Sequence, residues 1–237
     1  MTYDSDPSSE MLPPTDSWES WNNVLDDPST TRDLQAHLRI AYTDTLGQRT
    51  HRSIQVRRFG LDEHGGGLLV AFCEMRQSMR PFQLARISHV ADLDTATTIV
   101  DLAGWLDARY IATPLGERDA FLSLHEPALR ALFYVAKADD AYRAKEKAAI
   151  VEFCTWAGLA DTTVQSLVTE EIGRWPKPSA IQFGKDLQFV AALDVTYRER
   201  VLQTAKAIVA TDKTVRENET RALDRMAKTM FNTRAAP

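Results

Sequence analysis

The chain has 237 residues, 44% hydrophobic and 26% charged, with a net charge of −5. That length suggests one large domain or two small ones, and the composition is that of a globular protein able to bury a core. Collagen, a disulfide-stapled mini-protein and a membrane span are excluded: the two cysteines, Cys73 and Cys154, lie far apart without zinc-site spacing, and no run approaches ~18 apolar residues.

Charge is unevenly spread. Residues 1–38 hold eight acids against the single Arg32, while residues 39–90 hold eight arginines, no lysine and four acids, a net +4. Arginine carries a planar fork that grips phosphate or carboxylate with two parallel bonds and stacks on rings, so an all-arginine segment points to phosphate or nucleic acid. A solvated basic face is the plainer alternative.

Residues 1–33 read as an acidic arm, rich in Pro, Ser and Asp and without sustained periodicity. Within it Trp18, Trp21 and Leu25 fit one helical face. They can form a docking peptide, or equally a first helix of the folded body. The polar, acidic opening is not that of a secretory signal, so a cytoplasmic location is expected.

Residues 34–112 read as a small β-barrel followed by a helix. Leu38, Ile40 and Tyr42 alternate with polar neighbours, residues 44–47 make a turn, and Ile54 and Val56 mark a second strand. Leu68 to Cys73 is a continuous apolar run suited to a central strand. Residues 76–80 are a second turn, and alternation returns from Pro81 to Ile87. From about residue 97 the period becomes helical, with Ile99, Leu102, Leu106 and Tyr110 on one face. Residues 113–116 then break the chain.

Residues 117–237 read as wholly helical. One helix is expected through Phe121 and Leu124, another through Leu129 to Ala136, and a third through Ile150 to Ala157, stopped by Gly158. Asp161 can cap the next, which ends near Gly173. Residues 175–178 form a rigid joint before helices near 179–193, 196–210 and 216–231. The fold class expected is therefore α+β.

The segment from Leu68 to Ile87 resembles the WYL domain, which typically reads Trp-Tyr-Leu, Ala-aromatic-Cys, an Arg, a second Arg, an aromatic and a terminal Arg-Ile. Here Ala71-Phe72-Cys73, Arg76, Arg80, Phe82 and Arg86-Ile87 stand in that order, and Tyr42, Gly47 and Arg52 match the family's opening strands. The eponymous triplet is Leu68-Leu69-Val70 in this chain. The resemblance implies an Sm-like or SH3-like barrel that senses nucleotides or single-stranded nucleic acid, in bacterial regulation, stress response or phage defence. It also implies a ligand face of Tyr42, Arg52, Arg76, Arg80, Phe82 and Arg86. Independently, Arg80, Phe82 and Arg86 share one strand parity, about 20 Å from end to end if the strand is straight. Phe82 is placed either to stack a base or to join the core.

The helical region contains a repeat. Asp139, Arg143, Glu146 and Ala149 recur as Asp212, Arg216, Glu219 and Ala222. A Glu in a first helical turn complements the helix dipole, and an Asp before it can hold loop amides. The doubled pattern resembles the TerB-like domain of tellurite resistance, an all-helical bundle. That resemblance implies a place in bacterial stress and defence, with metal or acidic-surface functions. Asp139, Glu146, Asp212 and Glu219 are the candidate ligands for a hard cation, with helix capping as the alternative role.

No phosphate loop, dinucleotide-binding glycine motif, HExxH zinc motif or nucleophile elbow is present, and the five histidines show no metal spacing. The expectation is a non-enzymatic sensor or adaptor without a cofactor. It binds single-stranded nucleic acid or a nucleotide through the barrel and couples this to a protein partner or to self-association through the helical domain or the Trp18/Trp21 arm. The alternative is an interaction scaffold whose basic barrel meets acidic protein surfaces.

Overall fold

The structure, a computed structural model, describes residues 31–61, 66–138, 142–210 and 216–231. The Trp18/Trp21 arm lies outside them. The chain divides between Ala112 and Thr113 into two compact units, and among the described residues no helix is long and apolar enough to cross a membrane.

The first unit is a six-stranded antiparallel sheet with one helix. Its strands are β1 (Arg32–Thr43), β2 (Arg49–Leu61), β3 (Gly67–Cys73), β4 (Ser78–Gln83), β5 (Ile87–Asp92) and β6 (Thr97–Ile99), ordered β4-β3-β2-β1-β5-β6. The alternation read from Leu38, Ile40 and Tyr42 holds, because all three side chains are buried on one face of β1. Register carries that face across the sheet: Leu38 pairs with Ile54, Ile54 with Cys73, Val56 with Ala71, and Leu69 with Phe82. Leu68 to Cys73 is a central strand, as its unbroken apolar run requires.

The sheet does not close into a barrel, since no ladder joins β4 to β6 among the described residues. It is nevertheless strongly curled. Tyr42 on β1 and Phe82 on β4 stand three places apart in strand order, which in a flat sheet is about 14 Å. Their ring centroids are 5.2 Å apart. Register shifts between Asp33 and Ala36 in β1, and between Val56 and Arg58 in β2, supply extra residues that bend such a sheet.

Three boundaries in this unit differ from the sequence reading. The turn between β3 and β4 covers residues 74–77, with Gln77 in the left-handed region at φ 49°, and Ser78 already pairs with Cys73. The alternation from Pro81 ends at Gln83, because Leu84–Arg86 turns as a 3-10 helix before β5. Ile99 belongs to β6, and the helix α1 (Leu102–Ile111) starts where the Asp101 carboxylate accepts the Gly104 amide at 3.0 Å.

The second unit contains α2 (Pro114–Ala136), α3 (Ala144–Trp156), α4 (Thr162–Arg174), α5 (Ala180–Ala191), α6 (Val195–Val209) and α7 (Glu217–Phe231). Residues 113–116 begin a helix rather than break the chain: Thr113 caps the Gly116 amide and Pro114 sits in the first turn, where its missing N–H costs nothing. The two helices expected between Phe121 and Ala136 are one helix containing Pro127. It packs against α4, α5 and α6, burying Leu129, Leu132, Phe133 and Val135, while α7 packs on α5 and α6. Gly158, at φ 102°, ends the turn after α3 in a conformation that side chains resist, and Asp161 caps Thr163 and Val164.

Candidate nucleic-acid interface

The six residues expected to form one ligand face fall into three groups. Tyr42, Arg52 and Phe82 make a packed cluster on the inner side of the curled sheet. Tyr42 and Phe82 meet edge to face, and the Arg52 guanidinium carbon lies 5.3 Å and 5.8 Å from their ring centroids. Nε of Arg52 donates to Thr50 Oγ1 at 3.0 Å, which fixes the fork over the rings. Arg80 shares the strand face of Phe82 and pairs with Ala71 in the register. Its Nε is buried with no hydrogen-bond partner among the described residues. Arg76 and Arg86 occupy the two connections bracketing β4: Arg76 is exposed in the 74–77 turn, and Arg86 is half-buried in the 3-10 turn.

Phe82 is 1% exposed and Tyr42 6%. Rings this deeply packed offer no open face to a base, so the stacking role read for Phe82 is corrected to a core role. The cause is the curl of the sheet, which a strand-by-strand reading does not register. What the cluster presents outward is the guanidinium plane of Arg52.

Ion pairing separates the arginines of this unit. Arg32 pairs with Asp107, Arg58 with Asp33 at 2.8 Å, and Arg109 with the buried Asp92 at 3.3 Å. Burial alone would raise the Asp92 carboxyl. The Asp94 and Thr95 amides, the Thr95 hydroxyl and the Arg109 charge overcome that and hold it below its ordinary value. By contrast, Arg39, Arg49, Arg52, Arg57, Arg76, Arg80 and Arg86 pair with no carboxylate among the described residues of their unit. Seven of the eight arginines between residues 39 and 90 therefore keep their anion-binding capacity.

These seven do not share one surface. Arg39 and Arg57 are exposed on the outer side of β1 and β2, opposite Arg52 and Arg80, and Arg49 stands beside His89, with its Nη2 2.8 Å from Nδ1. His37 adds Nε2 to this outer side, held at 2.9 Å by Glu74. Alternation along β1 and β2 could have separated the two sets in the sequence, because odd and even positions of a strand face opposite ways.

In the helical unit the repeat is a matched pair of caps. Glu146 Oε2 accepts the Arg143 amide, and Glu219 Oε2 accepts the Arg216 amide at 2.7 Å, each carboxylate reaching back over the first turn of its helix. Both are buried, at 4% and 5% exposure. Asp139 and Asp212 lie outside the described residues, and among the described residues no cluster of three or more metal-ligating side chains forms. Glu146 and Glu219 each cap the first turn of their own helix.

One histidine, His125, lies in the helical unit, on α2. It is buried among Phe121, Phe153 and Tyr197, with Nδ1 2.8 Å from the Tyr197 hydroxyl. Desolvation holds its pKa below the ordinary value. Burial likewise pushes the Cys154 thiol up to about 12, which leaves it an inert core group. No protein-family model matches the chain, and neither a curated protein nor a solved structure gives a match.

Proposed function

We propose that this protein is a non-enzymatic ligand-sensing adaptor whose sheet unit binds single-stranded nucleic acid, or a nucleotide, by gripping phosphates with arginines. The observation that carries the reading is the set of seven arginines without a carboxylate partner among the described residues of their unit, in a segment that contains no lysine. Arginines that served only to stabilise the sheet would pair as Arg32, Arg58 and Arg109 do. The contact surface is the Arg52 and Arg80 side of β2 and β4, flanked by Arg76 and Arg86. Arg52 supplies a guanidinium plane on which a base can stack, and Arg80 supplies a half-buried guanidinium on the Phe82 face of β4. The WYL and TerB-like resemblances support a setting in bacterial stress response or phage defence, with the helical unit coupling ligand binding to a protein partner or to self-association.

The test is fluorescence anisotropy with a labelled single-stranded oligonucleotide and unlabelled duplex as competitor. Single strands are expected to bind more tightly than duplex. Arg52→Ala combined with Arg80→Ala is expected to weaken binding by about tenfold or more, since each removes a charge-assisted contact. Unchanged binding in that double variant contradicts the reading.

A further inference from the structure

The outer side of the sheet unit carries four planar, basic side chains on three neighbouring strands. Ala41 of β1 pairs with His51 of β2 on one side and with His89 of β5 on the other. The two histidines therefore stand two strand spacings apart, about 10 Å, across β1. Arg39 lies two residues from Ala41 on the same face, and Arg49 lies two residues from His51. All four are exposed, whereas Ala41 between them is 1% exposed. Arg49 pairs with Thr43 in the register, yet its Nη2 lies 2.8 Å from Nδ1 of His89, so its side chain crosses β1. The four groups thus form one continuous patch.

Neither arginine meets a carboxylate, and His51 has no hydrogen-bond partner, among the described residues. The chain on either side of all four, residues 31–61 and 66–138, is described. Its nearby acids are engaged elsewhere. Asp44, in the turn after β1, accepts the Leu46 and Gln48 amides at 2.9 Å and 2.8 Å. Glu74 holds His37 and Gln55. Asp92 and Asp94 take Arg109, and Asp101 caps α1 through Gly104. Beside β5, the β6 strand brings only Thr97, Thr98 and Ile99.

The contact between Arg49 and His89 has a chemical consequence. Arginine only donates, so Nδ1 of His89 accepts and the ring proton sits on Nε2. A doubly protonated His89 donates from both nitrogens and repels Arg49. An oxyanion between them removes that conflict, because it accepts from Arg49 and from the charged ring at once. The pair is a clamp that closes on an anion with uptake of a proton. Arg39 and His51 extend it over about 10 Å, which suits successive phosphates of a chain better than one isolated phosphate. All four side chains are also planar, so each can lie against a base, which a lysine patch could not offer.

We propose that the outer face of the sheet binds single-stranded nucleic acid through Arg39, Arg49, His51 and His89, as a second site opposite the Arg52 and Arg80 surface, and that this binding takes up protons. Histidine ordinarily changes charge between about pH 5 and 8. The outer site is therefore the weaker of the two at pH 8 and strengthens as the pH falls, while the all-arginine inner surface does not share that dependence.

The experiment is isothermal titration of the full chain with a short oligo(dT), too short to span both faces, at pH 8 and pH 6, with circular dichroism at both values to check the fold. Two oligonucleotides per chain are expected at pH 6, and Arg39→Gln with Arg49→Gln is expected to remove the weaker event and leave the other. In Arg52→Ala with Arg80→Ala, the remaining event is expected to tighten about threefold or more from pH 8 to pH 6, and His51→Gln with His89→Gln added to that variant is expected to abolish the change. All the substituted outer residues are exposed, so these variants leave the core intact. Loss of the stronger event alone from the wild type would overturn the inner reading and leave this one standing. A single event at both pH values that vanishes in Arg52→Ala with Arg80→Ala, a second event that survives Arg39→Gln with Arg49→Gln, or competition by polyglutamate as effective as by oligonucleotide overturns the proposal.

Discussion

The Arg52 guanidinium lies over the ring of Tyr42, held there by its hydrogen bond to Thr50. The arrangement ties a charged, outward-facing group to the buried aromatic pair that closes the curl of the sheet. Arg52→Ala is expected to cost about 1 kcal/mol of stability from the lost cation–π contact, in addition to its effect on ligand affinity. Arg52→Lys keeps the charge but not the plane, so it is expected to recover part of the affinity and little of the stacking. Urea denaturation and anisotropy on the same variants separate the two effects.

The Arg130–Asp186 pair gives a larger prediction. Asp186 is 2% exposed and accepts from Arg130 Nη2 at 2.7 Å and from Gln182 Nε2 at 2.9 Å. Its hydrogen bond and charge raise the Arg130 pKa against the opposing effect of burial. Removing only the arginine strands a buried carboxylate, so Arg130→Ala is expected to destabilise the helical unit by about 3–5 kcal/mol. Arg130→Met combined with Asp186→Leu is expected to recover most of that loss in urea unfolding.

The two capping glutamates are expected to behave alike. Glu146→Ala and Glu219→Ala each leave a first-turn amide without its acceptor, at a cost of about 1 kcal/mol. Glu146→Gln and Glu219→Gln retain the acceptor and are expected to recover most of it. Thermal unfolding of the four variants tests this. Equal stability of the Ala and Gln forms would show that the amide contact contributes nothing.

His125 gives the helical unit a pH dependence. Its folded pKa lies below the unfolded value of about 6.5 because burial penalises the charged ring. As pH falls below about 6.5, the unfolded chain takes up a proton at this position before the folded chain does. Stability contributed by neutral His125 is therefore full above that pH and lost progressively below it. Stability measured at pH 7.5 and 5.5 is expected to drop more in the wild type than in His125→Gln. An equal drop in both would place the titration elsewhere.

Much of the architecture is legible in the sequence wherever local chemistry decides it. The apolar run Leu68 to Cys73 becomes an interior strand, with Leu69, Ala71 and Cys73 on its buried face and Val70 and Phe72 half-buried on the other. Asp161 and the glutamates of the repeat sit one turn from the amides they cap. Boundaries set by longer-range packing are not legible. The two helices expected between Phe121 and Ala136 are one, with Pro127 inside it, and Ile99 carries a helical period but pairs with Val90 in the sheet. For the candidate site, the arginine content is visible in the sequence. The burial of Phe82 is not, because it depends on Tyr42 arriving from a strand three places away.

The most direct test of the central claim is the salt dependence of single-strand binding. If Arg52, Arg76, Arg80 and Arg86 each neutralise one phosphate, the logarithm of the association constant should fall against the logarithm of salt with a slope of about −3. Arg52→Ala with Arg80→Ala should halve that slope. A slope near zero in the wild type, or an unchanged slope in the double variant, would contradict phosphate gripping by this surface.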